Sequence, residues 1–150
     1  MNDSERIVAA ARGWLGTRFH HQGRLKKTSM HAGGVDCLGL LVGVATELDL
    51  CDRHGIKLAA LDKVDYSHQP DTQRLCQALS TALYKVETGV MQAGDVALMQ
   101  IDGRAQHLAI ISELAGARSM IHAYAPARAV VEHGLNQDWL DRIEAVFRTL

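Results

Sequence analysis

The chain has 150 residues, which suits one domain, spanning 1–150, with a core of its own and no need of covalent staples. An apolar share of 47%, a charged share of 22% and a net charge of -1 describe an ordinary globule and argue against an electrostatic nucleic-acid binder. No apolar run approaches the length of a membrane span, so no membrane partner is expected. The opening Met1-Asn2-Asp3-Ser4-Glu5-Arg6 mixes acid with base and does not read as a secretory signal, so the chain is expected to be cytoplasmic as synthesised or carried out by another machine.

In chain order, Asp3 or Ser4 is expected to cap a first helix that runs to about Leu15 and is stopped by Gly16. Ile7, Val8, Ala10, Ala11 and Trp14 form its inward stripe. The polar stretch from Gly16 to His31 has glycines and charges but no periodicity, and reads as a long loop of the kind that often carries function. His20, His21 and His31 match no standard zinc spacing and have no nearby cysteine ligands. Solvated or substrate-facing histidines are the default there, and no metal or other cofactor is expected.

The next stretch, Gly33-Gly34-Val35-Asp36-Cys37-Leu38-Gly39-Leu40-Leu41, is the centre of the chain. Asp36 is a helix N-cap residue, followed by an apolar helix that should run to about Leu48. Cys37 then sits in the positive end of the helix dipole, which favours thiolate and predicts an apparent pKa below the free value of about 8.5. Gly39 and Gly43 each weaken the helix by about 1 kcal/mol relative to Ala, which makes sense if another element crosses closely there. Cys51 has no basic partner implied by its surroundings, and Cys76 reads as packing. The three thiols have no framework spacing and are expected to be reduced.

After an irregular segment from Asp49 to Gln69, Pro70-Asp71 should open a further helix to about Leu83, burying Leu75, Ala78, Leu79 and Ala82. Beyond Tyr84 short strand-like runs follow: Val86, Val96–Met99, Leu108–Ile111, Met120–Tyr124, Ala129–Val131 and Ala145–Phe147. Turn signals such as Asp102-Gly103 and Ala115-Gly116 separate them, which suggests an antiparallel meander, with a helical turn at Asn136–Leu140 before the last strand. Helices first and strands second give an α+β domain, with N-terminal helices packed on a C-terminal antiparallel sheet.

Two histidines fall at informative places. His107 heads one strand and His122 is embedded in the next, so a hairpin would bring them together. One imidazole can then take a thiol proton while the other orients it, the general logic of an activated nucleophile. His107, near a strand end, is the better base, and His122, flanked by apolar residues, the better orienting group.

These features together resemble the NlpC/P60 family of papain-like cysteine peptidases, which cut peptide bonds in bacterial cell-wall stem peptides. The resemblance runs in order through Trp14–Phe19, Gly34–Leu40, Gln92–Val96, Gln106–Ile110 and Met120–Ala123. It implies a papain-like α+β fold, Cys37 as nucleophile, His107 as base, His122 as the orienting third residue, and Asp36 near the free amine of the stem peptide. It further implies that the Cys37 amide helps to hold the oxyanion. The family usually has Tyr at the place of Phe19, with its hydroxyl near the oxyanion. Phe19 has no proton to donate, and His20 or His21 is the candidate substitute. The Phe19-His20-His21-Gln22 stretch and the Asp-Cys-Leu-Gly form are most similar to members from phage and prophage tails, which implies tail proteins as partners, while the family resemblance implies a peptidoglycan peptide, cut at a γ-D-glutamyl bond, as substrate. An acyltransferase or deamidase on the same scaffold, and a catalytically silent tail assembly component, are the alternatives.

Overall fold

Asn2, rather than Asp3 or Ser4, starts the first helix, α1 (Asp3–Arg12). Its side chain accepts from Glu5 N at 2.9 Å while the Glu5 carboxylate accepts from Asn2 N at 3.0 Å, so two otherwise unpaired amides are satisfied reciprocally. The helix ends at Arg12, one turn before the expected stop, and the chain turns through Gly16 at a φ of +84° to reach Val130. The computed structural model describes residues 1–62, 72–101 and 104–149.

The stretch expected as a loop is partly paired. β1 (Arg24–Leu25) lies antiparallel to β2 (Gly34–Val35), Phe19 bridges Val35, and Arg18 bridges Ala129. These pairings are one or two residues long, too short for side-chain alternation to mark them in sequence. They carry the chain to α2 (Cys37–Glu47), capped by Asp36 and ending beside Leu48 as expected. Both glycines of α2 mark close crossings. A Cβ on Gly43 would overlap the Trp14 ring, and one on Gly39 would overlap the Gly23 carbonyl oxygen.

Among its described residues the irregular segment contains one 3-10 turn, Leu58–Leu61. The expected helix start at Pro70-Asp71 lies outside the described residues, and α3 is described over Thr72–Ala82. Leu79 and Ala82 are buried and Leu75 and Cys76 pack beside them, but Ala78 is exposed, since helical rotation carries it off the inward stripe.

Among the described residues the sheet has six antiparallel strands: β3 (Tyr84–Val86), β4 (Val96–Ile101), β5 (Arg104–Leu114), β6 (Ala117–Tyr124), β7 (Ala129–Gly134) and β8 (Ile143–Arg148). Their spatial order is β3-β8-β4-β5-β6-β7. The meander therefore holds from β4 to β7, while β8 returns to lie between β3 and β4. Arg148 anchors that return with bonds of 2.7 and 2.9 Å to the buried Asp95 carboxylate at the head of β4. The expected turn at Asp102-Gly103 is outside the described residues. The expected turn before β8 is α4 (Gln137–Leu140), capped by Asn136.

Alternation along the strands sorts the core into two faces. Val96, Leu98, Leu108, Ile110, Ile121, Ala123 and Phe147 pack under α1, α2 and α3. Ala97, Met99, Ala109, Ile111, Met120 and Val146 face the other way, under Met91, Leu135 and Trp139. The result is the α+β arrangement of helices on an antiparallel sheet.

Candidate active site

Cys37 opens α2 and its side chain reaches the sheet at β5. The Ile111 amide donates to Asp95 O on the β4 side, so alternation turns the Leu108 amide toward β6. The pairing of β5 with β6 runs from Leu114↔Ala117 to Ile110↔Ile121, and Leu108 lies past that last pair. The Cys37 sulfur meets the Leu108 amide there, one residue from His107.

The expected thiolate is corrected by the thiol's surroundings. Leu40, Leu41, Val96, Leu108, Ala109 and Ile110 line an apolar pocket around Cys37. Burial, and then the Asp36 charge, push the thiol pKa up to about 11. The amides of Leu108, Leu38 and Cys37 itself act in the opposite direction, as a helix start should, but they do not prevail.

His107 and His122 are both buried, and their rings are joined by a 2.6 Å bond between His107 Nε2 and His122 Nδ1. The hairpin therefore brings together the two rings that the sequence singled out. Burial, reinforced by Arg142, lowers the His107 pKa to about 4. Burial, with His107 and His133 adding repulsion, lowers His122 to about 2. Tyr124 stacks on His122 at 4.9 Å between ring centroids, and Trp139 from α4 meets it edge-on at 5.2 Å. Asn136 accepts from Trp139 N at 3.1 Å, so the cap of α4 holds this cover in place.

Asp36 is buried and heavily engaged. It accepts from Gly39 N at 2.8 Å, from Gln22 N at 2.8 Å, and from Arg24 Nη1 at 3.1 Å, and Arg24 also pairs with Asp62 at 2.9 Å. An incoming ammonium group would have to share this carboxylate with Arg24. Phe19 is half-buried against the core that contains Val35 and Leu40. His20 is exposed, and its Nδ1 lies 2.9 Å from the His21 carbonyl. A carbonyl only accepts, so Nδ1 holds the proton and a neutral His20 presents a lone pair at Nε2. It can donate to an oxyanion from that nitrogen only as an imidazolium. His31 accepts from Gly33 N at 3.1 Å, and among the described residues no group of three or more His, Cys, Asp or Glu is arranged to hold a metal.

The architecture matches solved structures closely enough to decide the fold. The NlpC/P60 domain of the peptidoglycan hydrolase SagA superposes with a TM-score of 0.60 at 20% identity, over 98% of each chain. An NlpC/P60 family protein from Bacillus cereus ATCC 10987 gives 0.64 at 20% identity, over 98% of this chain and 40% of that one. This is the NlpC/P60 fold. An N-acetylmuramoyl-L-alanine amidase from Bacteroides uniformis ATCC 8492 is similar at a TM-score of 0.55 and 10% identity, over 97% of each chain. No family model and no curated protein matches the sequence.

Within this NlpC/P60 fold, four residues stand at the site that the sequence reading passed over: Tyr124, His133, Trp139 and Arg142. His133 pairs with Met120 across β6 and β7, which sets it on the same face as His122, two positions along. Its ring nitrogen lies 2.8 Å from His122 Nε2. Alternation from His122 through Val131 would have found it, given the β6–β7 register. Trp139 and Arg142, stacked at 4.5 Å, belong to a turn whose place over the sheet only the return of β8 determines.

Proposed function

We propose that the chain is a cysteine peptidase that hydrolyses peptide bonds in bacterial peptidoglycan stem peptides. Cys37 is the nucleophile, His107 the base and His122 its orienting partner. The observation that carries this reading is the 2.6 Å His107–His122 bond beside the strand residue whose amide meets the Cys37 sulfur. The similar structures include a domain of a peptidoglycan hydrolase and an N-acetylmuramoyl-L-alanine amidase, which supports the substrate class.

With the thiol pKa raised and the imidazole pKa lowered, the resting pair is neutral. The sulfur attacks the scissile carbonyl as its proton passes to His107 Nδ1, so the S–C bond forms while the S–H bond breaks. The amides turned toward the sulfur are placed for the oxyanion that develops. His107 then gives its proton to the leaving amine, and a water that His107 deprotonates cleaves the thioester. Asp36, Phe19 and His20 are assigned to the substrate side, Asp36 toward the free amine that competes with Arg24.

A γ-D-glutamyl bond is the assigned target on the family resemblance, and a phage or prophage tail the assigned carrier on the likeness of Phe19-His20-His21-Gln22 and Asp-Cys-Leu-Gly to tail-borne members. Digestion of purified peptidoglycan with mass analysis, run beside Cys37→Ala, tests the whole reading. Fragments ending at that bond, absent with the variant, are the expected result. Acyl transfer or deamidation products in place of cleavage would assign the scaffold to transferase or deamidase chemistry. No product at all, with Cys37→Ala particles fully infectious, would leave a silent tail component.

A further inference from the structure

Three imidazoles stand in one hydrogen-bonded row that ends on a backbone carbonyl. His107 Nε2 lies 2.6 Å from His122 Nδ1, His122 Nε2 lies 2.8 Å from His133 Nε2, and His133 Nδ1 lies 3.0 Å from the Gly134 carbonyl oxygen. A carbonyl has no proton to give, so Nδ1 of His133 must carry one. The lone pair of a neutral His133 is then at Nε2, and His122 must donate to it from its own Nε2. His122 is left with a lone pair at Nδ1, which accepts from His107 Nε2–H. The direction of every bond follows from one acceptor at the far end, and it leaves the His107 lone pair on Nδ1, the nitrogen the row does not use.

We propose that His133 is a positioning residue that, through His122, holds His107 in the tautomer able to take the Cys37 proton. The proposal rests on the reading of Cys37 and His107 as the reacting pair. His122 has no exposed surface, so water cannot set its tautomer and a protein group must. His133 is held for this by the Met120↔His133 register and by Trp139, whose ring centroid lies 5.3 Å from its own. The row also gives a positive charge somewhere to go. When His107 gains the thiol proton, its Nε2 proton can pass to His122 Nδ1 and the His122 Nε2 proton to His133 Nε2. Each transfer breaks one N–H bond and makes another, and the charge moves from a buried ring to a half-exposed one.

Nitrogen-15 spectra of the histidine rings in the resting protein test the row without any substrate. Protons on His133 Nδ1, His122 Nε2 and His107 Nε2 are expected, and a proton on His107 Nδ1 would overturn the proposal. His133→Leu removes the acceptor, whereas His133→Gln keeps one. The Leu variant should lose roughly tenfold or more in kcat, part of the about 10²–10⁴-fold a positioned base supplies, with KM nearly unchanged. It should also show mixed His107 tautomers and a shifted pH profile for Cys37 alkylation, and the Gln variant should restore most of the rate. A folded Leu variant with unchanged tautomers and rate would sink the idea. If the Leu variant does not fold, the wild-type spectrum and the Gln variant decide. The underlying pair is tested separately: Cys37 alkylation indifferent to His107→Ala would refute the pair whatever the tautomers show.

Discussion

The two faces of the sheet solve different problems with the same strands. Toward the helices, Leu108, Ile110, Ile121 and Ala123 need only volume and shape, and Gly43 makes room for Trp14. On the other face, toward one end of the same strands, His107, His122 and His133 meet under Tyr124 and Trp139, where each nitrogen needs a partner of the right sense. Packing tolerates exchange of one apolar group for another of like size, but a buried polar row does not tolerate a missing member. The thiol packs on the helix side, at the Leu108 amide just past the end of the β5–β6 pairing.

The sharpest way to break the contrast is to remove chemistry and leave packing. Cys37→Ala should cut peptide hydrolysis by roughly 10³-fold or more while circular dichroism and melting stay near wild type. Alkylation of Cys37 comes next: its rate should climb by about tenfold per pH unit toward the raised pKa of about 11, not level off below neutrality. A plateau reached near pH 6 would mean a resting thiolate and refute the neutral pair.

Acid should attack the histidine face selectively. The folded chain holds His107 and His122 below their ordinary pKa of 6.5, so the unfolded chain binds their protons first. Stability from this source is complete above about pH 6.5 and is lost as pH falls below it, by about 3 kcal/mol from His107 alone once pH reaches about 4. Urea titrations at pH 7 and pH 4.5 check this, and equal midpoints would contradict it. The helix face is probed with smaller changes. Gly43→Ala forces a methyl against the Trp14 ring and should cost about 2 kcal/mol in the same titration. Gly89→Ala, whose added Cβ meets nothing within 4 Å, should stay within about 0.5 kcal/mol of wild type.

Much of this was legible in the chain itself. The Asp36 cap, the span of α2 and the strand runs follow from local patterns, because capping and alternation act within a few residues. The tight crossing at Gly43 is signalled in the sequence by a helix-weakening glycine that a close neighbour would explain. The thiol's charge state was not legible. The helix start does favour thiolate, as the amides of Cys37 and Leu38 show, but the burial that overrides it comes from Val96, Leu108 and Ile110, distant in sequence. The first helix ended early for a similar reason, since the chain leaves it to reach Val130.

The sequence by itself determined the longer helices and strands and named Cys37, His107 and His122, since helix caps, periodicity and strand runs are written in neighbouring residues. Tertiary structure alone decided the insertion of β8 beside β4, the desolvation of the thiol, and the arrival of His133 and Trp139 around His122. Those depend on register and burial, which are set by contacts between segments far apart along the chain and have no local signature.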